Sequence, residues 1–493
     1  MLFVVKNVLQ NILDNYKKIH IETLGCRLNQ IESESVANFF SSDSFSVVMK
    51  SITSKDLIDN NVLLSIVNTC TVTAKAEQKA RRVIRLLLKK FPYAIIVVTG
   101  CYAQVNKTEI ENIDSRIIVL PGRVKSRLSK VPKILDEILI NSQTENNLEI
   151  ISNQIKQTLI SEICYGKVPE ISEKPFKLVT DTFLNHSRSS LKIQDGCNNR
   201  CTYCEICIAR GKSVSLNVEE IISQVNKLKE SGQKEVVFTT VNIAQYKGRY
   251  KDTFCDFADM LKILLENTQG ISFRFSSLYP QIVDDRLCEL IKDERIRNHF
   301  HLSVQSGSDN ILKKMARPYD ARTVIDACNR LKCAKGNPFL ACDIIAGFPT
   351  ESDEDFEKTM TLLNECGFHF VHAFPFSPRP NTVAFSLKPK VPEFVTKQRI
   401  ERLLEFSFEK KVEYVNSVVG KKCKAIVENS HNLSSQDVLF INCVTENFLH
   451  CKIKVGKGDK IPHPSEEIEV RIEKPLIQEM KDGQEYDVLA SIC

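Results

Sequence analysis

The chain has 493 residues, 43% hydrophobic and 26% charged, enough for about three domains at roughly 150 residues each and too long for a scaffold that needs covalent staples. No apolar run approaches the ~18 to 20 residues that a membrane-spanning helix requires, so a spanning helix is excluded and no membrane partner is expected. Lys and Arg number 67 against 61 Asp and Glu, and the resulting +6 permits an anionic partner without requiring one.

The opening MLFVVKNVLQNILDNYKKIH has its apolar stretch broken at Lys6 and carries neither a basic n-region nor a small-residue cleavage site, so residues 1–16 read as a short extension and the protein is expected in the cytoplasm. Its 18 cysteines should then stay reduced, which makes closely spaced ones metal candidates.

Over residues 17–142 one pattern recurs three times: an apolar strand-like run, a turn of Thr, Gly or Asn, then a cysteine. The runs are IHIETLGC ending at Cys26, VLLSIVNTC ending at Cys70 and AIIVVTGC ending at Cys101. Between the last two, Ala76, Ala80, Val83, Ile84 and Leu87 share one helical face. Strand, helix, strand predicts a parallel α/β domain, whose strand carboxyl ends gather at one edge where ligands bind. A cysteine is also a common small buried hydrophobe, and each of the three taken singly fits that role. Their matching places after three strands make a shared metal site the alternative.

Residues 143–186, polar and Asn-rich at NSQTENNLEI, read as a linker. From 187 to 415, strand-like SLKIQ, EVVFTTV, ISFRFSS, HFHLSVQ, FLACDIIAGF and VHAFPFS alternate with helical stretches, predicting a complete or partial parallel (β/α) barrel. After about 416 come short strands separated by turns (CKAIVEN, DVLFINCV, FLHCKIKV, EIEVRIEK), the texture of a small β-barrel.

The strongest chemical signal is DGCNNRCTYC, which sets Cys197, Cys201 and Cys204 in a C-x3-C-x2-C spacing. Three thiolates on one short loop can hold three irons of a [4Fe-4S] cubane and leave the fourth open. Zinc is the competing ligand, but structural zinc takes four closed ligands, and no second clip or histidine pair follows. Tyr203 is placed to neighbour a bound adenine or simply to pack. The remaining twelve cysteines show no pattern and are assigned to packing, with Cys207 held in reserve.

The ordered motifs TLGCRLNQIES, VNTCTVTAKAEQKAR, VTGCYAQ, QDGCNNRCTYC, ARGKS, HLSVQSGSDNILKKMAR, DIIAGFPTESDEDF and FPFSPRPNT resemble the radical S-adenosylmethionine (SAM) methylthiotransferases along nearly the whole chain. TLGCRLNQ and NTCTVTAKA look most like the MtaB-type branch, which acts on N6-threonylcarbamoyladenosine in tRNA. Other branches act on isopentenyladenosine or on a ribosomal protein aspartate, and a non-enzymatic metal-bound nucleic-acid-binding module is the reading furthest from these.

The resemblance implies an auxiliary [4Fe-4S] cluster on Cys26, Cys70 and Cys101, a radical SAM cluster on Cys197, Cys201 and Cys204, and a TRAM-like C-terminal barrel for RNA. It implies methylthiolation of adenosine C2 at tRNA position 37, with SAM supplying both a methyl group and the radical. A flavodoxin- or ferredoxin-type electron donor is implied, while the sulfur donor stays unknown. Thr239, Thr240, Asn242, Ser303, Gln305, Ala346 and Gly347, at the ends of barrel strands, are the candidates to cradle SAM, or serve as ordinary turn and cap residues.

The chain departs from the family at Cys207 in place of a proline and at Thr240, Thr350 and Asn381 in place of glycines. Loss of glycine bears on loop geometry, because glycine alone takes φ > 0 freely.

For RNA, the helix at 75–90 offers Lys75, Lys79, Arg81, Arg82, Arg85, Lys89 and Lys90 against one acid, Glu77, a stripe suited to phosphates or to solvent. Residues 420–493 carry 10 Lys and Arg against 12 Asp and Glu, an unfavourable balance for a phosphate binder, relieved only by Lys421, Lys422 and Lys424.

Overall fold

The computed structural model describes residues 17–43, 45–142, 147–179, 188–433, 439–455 and 461–493, so the expected extension 1–16 and parts of the expected linker lie outside the described residues. The chain divides into two units. The first takes Met1–Thr180 with Asp195–Asn199 and Cys204–Val214; the second takes Asp181–Gln194, Arg200–Tyr203 and Ser215–Cys493.

In the first unit, strands β1 (Lys18–Thr23), β2 (Ser46–Val48), β3 (Val62–Thr69), β4 (Ile95–Gly100) and β5 (Ile117–Val119) form one parallel sheet in the order β2-β1-β3-β4-β5. Every residue of β3 and β4 is buried, which is why VLLSIVNT and IIVVTG run apolar rather than alternating: both faces of a central parallel strand are covered. The helix Arg27–Ser42 packs Val36, Ala37 and Phe40 into one core. The helix Ala74–Lys90, capped by the Thr73 hydroxyl accepting from the Ala76 amide at 3.1 Å, sends Ala80, Val83, Ile84 and Leu87 into the other.

The expected linker contains the helix Leu148–Ile163, which corrects that reading. Its Ile151, Ile155, Leu159 and Ile163 recur every fourth residue and are buried in the first core. Asn- and Gln-rich neighbours mask that stripe in the sequence.

The second unit carries six parallel strands, Ser189–Lys192, Glu235–Thr239, Ser272–Phe275, His299–Gln305, Phe339–Ala346 and Phe370–Pro375. They form two three-stranded sheets, and single bridges Phe273–Ile296 and Leu278–Leu302 link these into a partial barrel. The long helix Glu393–Val418 runs past the expected boundary at 415, and Lys422–Leu433, Leu439–Thr445, His450–Val455, Glu467–Pro475 and Val488–Ile492 close a five-stranded barrel.

That small barrel sits on the amino ends of the parallel strands. Phe448, on the tight turn after Leu439–Thr445, stacks on His299 at 4.4 Å, with Arg274 and Arg188 over its ring at 5.2 and 5.5 Å. Arg274 donates to the Thr445 carbonyl (3.1 Å) and to Glu235 (2.9 Å), and Arg297 donates to Glu235 (2.7 Å) and to Glu467. Tyr414, Val415 and Val418 of the long helix share one core with Phe339 and the small barrel.

Burial alone would raise the Glu235 carboxyl, but Arg274 and Arg297 outweigh it and bring it down to about 2. An acid depressed in the fold stabilises above its unfolded value and loses that contribution as pH falls. Stability of the wild-type chain is therefore expected to drop between pH 4.5 and about 2 in part through Glu235. Glu235→Gln, by leaving two guanidinium groups facing a neutral amide, should cost roughly 3–5 kcal/mol at pH 7 and flatten that acid segment. Urea melts across this pH range check it; identical acid sensitivity in both proteins contradicts it.

Candidate active site

The register of the first sheet pairs Thr23 with Asn68 and Thr69 with Gly100, so β1, β3 and β4 leave it side by side. Cys26 then caps the helix Arg27–Ser42, Cys70 follows β3, and Cys101 opens the short helix Cys101–Val105. A glycine precedes two of these cysteines, with φ of +108° at Gly25 and +97° at Gly100. A Cβ on Gly25 would lie 2.5 Å from the Cys70 Cβ, and one on Gly100 would lie 2.3 Å from the Thr69 carbonyl oxygen. Only glycine supplies both the conformation and the close approach that bring the cysteine-bearing segments together.

The Cys70 and Cys101 side chains are buried and that of Cys26 is exposed. Burial pushes the Cys70 thiol up to about 12, with the nearby Cys101 and Cys26 sulfurs adding to the rise. Burial also raises Cys101, opposed by the positive charges of Arg210 and Lys125. The structure thus gathers three soft donors and sets positive charge beside two of them: Arg210 opposes the rise at Cys70 and Cys101, and Lys125 the rise at Cys101. Among the described residues, no three His, Cys, Asp or Glu side chains stand close enough to share a single metal ion. A cubane distributes three thiolates over three irons and so asks for a different arrangement from one shared ion.

Around these thiols the first unit buries a polar network. Arg210 donates to Glu32 (3.2 Å), Asp195 (3.0 Å) and Asn29 (2.8 Å), and Lys125 donates to the second Glu32 oxygen at 2.5 Å. Burial disfavours the charged guanidinium, yet Glu32 and Asp195 raise Arg210 well above its ordinary value. Asp195 stands two residues before Cys197, and Arg210 six residues after Cys204. The Cys197 amide donates to the Gly211 carbonyl at 3.0 Å, and the Ile206 amide donates to the Cys204 sulfur at 3.4 Å.

In the second unit, Arg317 donates to the Cys201 sulfur at 3.4 Å and to the Tyr203 hydroxyl at 3.4 Å. Its guanidinium also meets the Ser303 carbonyl (3.2 Å) and the hydroxyls of Tyr319 (2.8 Å) and Tyr279 (3.4 Å). Donors of this kind stabilise anionic sulfur in a cluster ligand. Thr202 fixes this part of the loop through the carbonyls of Lys314 (2.7 Å) and Met315 (3.1 Å).

Tyr203 and the Ser303 carbonyl therefore meet at one guanidinium, and the Tyr203 hydroxyl extends the group to Gln305 at 3.3 Å. Gln305 itself sits at φ +73°. Thr239 and Asn242 are buried at the end of Glu235–Thr239, the Asn242 amide donating to Gln194 at 2.9 Å, while Thr240 is only half-buried. Ala346 is buried, and the Gly347 amide donates to Glu351 (2.6 Å), which Arg399 holds at 2.7 Å. Thr350, one of the replaced glycines, keeps a left-handed φ of +75°, a strained place for a β-branched residue, and its hydroxyl accepts from Lys314 at 2.8 Å.

On the helix Ala74–Lys90, Lys75, Lys79, Arg82, Arg85 and Lys89 are exposed. Arg81 instead turns to the Tyr102 hydroxyl and Glu109, both at 2.9 Å, and Lys90 caps the carbonyls of Ser54 and Asp56. Sequence reading singled out neither Arg210, Arg317, Glu32 nor Tyr319. Arg210 and Arg317 do fall inside the quoted motifs ARGKS and HLSVQSGSDNILKKMAR, but burial of a charge leaves no mark on composition.

Two family models match the chain: the radical SAM superfamily over residues 191–363 and the uncharacterized protein family UPF0004 over residues 18–121. The threonylcarbamoyladenosine tRNA methylthiotransferase MtaB of Treponema pallidum is 36% identical, covering 92% of this chain and 98% of that protein. The protein of the same name from Aquifex aeolicus is 35% identical over 86% of this chain and 96% of its own length. The tRNA-2-methylthio-N(6)-dimethylallyladenosine synthase of Bacillus subtilis is more distant, at 29% over 87% of this chain and 79% of its own. With this identity along nearly its full length, the chain belongs to the MtaB family of radical SAM methylthiotransferases.

Proposed function

We propose that this protein methylthiolates C2 of N6-threonylcarbamoyladenosine at position 37 of tRNA. The observation that carries the reading is the gathering of Cys26, Cys70 and Cys101 at one sheet edge, in a chain for which a relative bearing that enzyme's name covers 92% of the length. The Cys197, Cys201 and Cys204 loop would hold one [4Fe-4S] cluster and the other triad a second. When bound, the loop's cluster and SAM together supply a radical able to break an unactivated C–H bond.

The chain's own residues hold the reactants. Arg317 sets a positive charge against the Cys201 sulfur and is itself fixed by Tyr279, Tyr319 and the Ser303 carbonyl, so it does not reorganise during the reaction. Tyr203, Gln305 and Thr239 to Asn242 stand at the strand ends that would receive SAM, where position and exclusion of water matter most. Reducing electrons would come from a flavodoxin- or ferredoxin-type protein. The C-terminal barrel is TRAM-like in strand count and closure. The protein acts in the cytoplasm, and among the described residues no helix is long and apolar enough to cross a membrane.

The direct test is anaerobic reconstitution with SAM, reductant and tRNA bearing threonylcarbamoyladenosine, scored for 5′-deoxyadenosine and for the methylthio nucleoside. Cys201→Ala should abolish both products, whereas Cys70→Ala should retain SAM cleavage and lose the methylthio nucleoside. Equal loss of both products in the two variants contradicts separate roles for the triads.

The exposed stripe on Ala74–Lys90 supports a phosphate contact. Reversing Lys79 and Arg82 to Glu is expected to weaken tRNA binding on the order of tenfold near 0.1 M salt and to make the log–log salt dependence shallower. Arg81→Gln, which alters a residue already engaged by Glu109, should leave that slope in place. A double reversal with wild-type slope removes the stripe from the RNA contact.

A further inference from the structure

The chain after Glu235–Thr239 builds a small antiparallel hairpin, Gly248–Tyr250 with Thr253–Cys255, at the carboxyl edge of the parallel strands. Between positions 247 and 254 it sets Lys247, Arg249 and Lys251 against one acid, Asp252. All three cations are exposed, and Phe254 is 54% exposed. The Lys247 ammonium lies 4.9 Å and the Arg249 guanidinium 4.5 Å from the Phe254 ring centre, and Lys251 lies 5.4 Å from that of Tyr250.

One exposed aromatic on a surface needs no explanation. Here the ribbon beneath it is built to hold still. The amides of Lys247, Arg249 and Lys251 donate in turn to the Ser215 hydroxyl (2.8 Å), the Asn217 side-chain oxygen (3.2 Å) and the Glu219 carboxylate. Buried Tyr246 donates to the Leu216 carbonyl at 2.7 Å, and a Cβ on Gly248 would lie 2.2 Å from that tyrosine's hydroxyl, so glycine is what allows the close approach. With these amides satisfied by side chains, the hairpin presents cations and a ring instead of a free strand edge.

Cations clustered around a π-face on a held backbone match an unpaired nucleic-acid strand, whose phosphates take the charges while a base stacks on the ring. The C-terminal barrel is poorly suited to that place. Its balance is acidic, with 10 basic against 12 acidic residues over 420–493, and its Phe448 turn packs on the opposite, amino edge of the strands. We propose that the hairpin at residues 247–254 receives the unpaired loop of the substrate RNA, with Phe254 stacking on a base and Lys247, Arg249 and Lys251 on the backbone. This rests on the tRNA reading above and names a contact for it.

The experiment measures equilibrium binding of tRNA to the anaerobically reconstituted full chain across a salt series. Phe254→Ala should weaken binding roughly fivefold or more, the loss of one base stack, while Phe254→Tyr keeps wild-type affinity. Lys247→Gln with Arg249→Gln, which retains the ring, should make the log–log salt slope shallower by about 1.4, two single-strand phosphate contacts at roughly 0.7 each. Circular dichroism and melting temperature identify a variant that fails to fold, and should Phe254→Ala melt early, the double variant decides. Wild-type binding with unchanged affinity and slope in the variants overturns the hairpin's role and leaves the tRNA reading standing. A wild-type chain that binds no tRNA at any salt overturns both.

Discussion

One buried guanidinium organises the first unit. Arg210 is 5% exposed, and an ion so placed costs several kcal/mol of hydration unless its partners are fixed around it. Glu32 and Asn29 lie on the helix that Cys26 caps, and Asp195 stands on the arm that leads to Cys197. Arg210 itself follows Cys204. A single charge therefore ties together chain segments carrying cysteines of both triads, and any shift of one segment would strand a carboxylate or a guanidinium away from water.

The same logic of edges recurs in both units. Parallel strands deliver their following loops to one side, and the residues proposed for the clusters and for SAM stand there: cysteines after β1, β3 and β4 in one unit, and Thr239, Asn242, Ser303 and Gln305 in the other. In the second unit the amino side is given over to stability. Glu235 and Glu467 balance Arg274 and Arg297 there, and Phe448 closes over that end of the strands.

Much of this is legible in the sequence because continuous apolar runs and cysteine spacing are local properties. VLLSIVNTC and AIIVVTGC carry strand, turn and thiol within nine residues or fewer, and the sheet register does bring their ends together. The helix Leu148–Ile163 was hidden because its four buried Ile and Leu residues sit among Asn, Gln and Ser, which look like a connector. Arg210, Glu32 and Arg317 were hidden for another reason: a charged residue reads as surface until the fold removes its water. The basic helix shows the limit of counting charge, since Arg81 and Lys90 serve local hydrogen bonds while Lys75, Lys79, Arg82, Arg85 and Lys89 face outward.

Two separate thiol triads, each proposed to hold its own iron–sulfur cage, can be counted by iron and sulfide analysis with Mössbauer spectroscopy on anaerobically reconstituted protein, wild type beside two triple variants, Cys26, Cys70 and Cys101 to Ala and Cys197, Cys201 and Cys204 to Ala. About eight irons are expected in the wild type and about four in each variant, all in cubane form. Four irons in the wild type, with one triple variant unchanged and the other empty, would contradict that proposal.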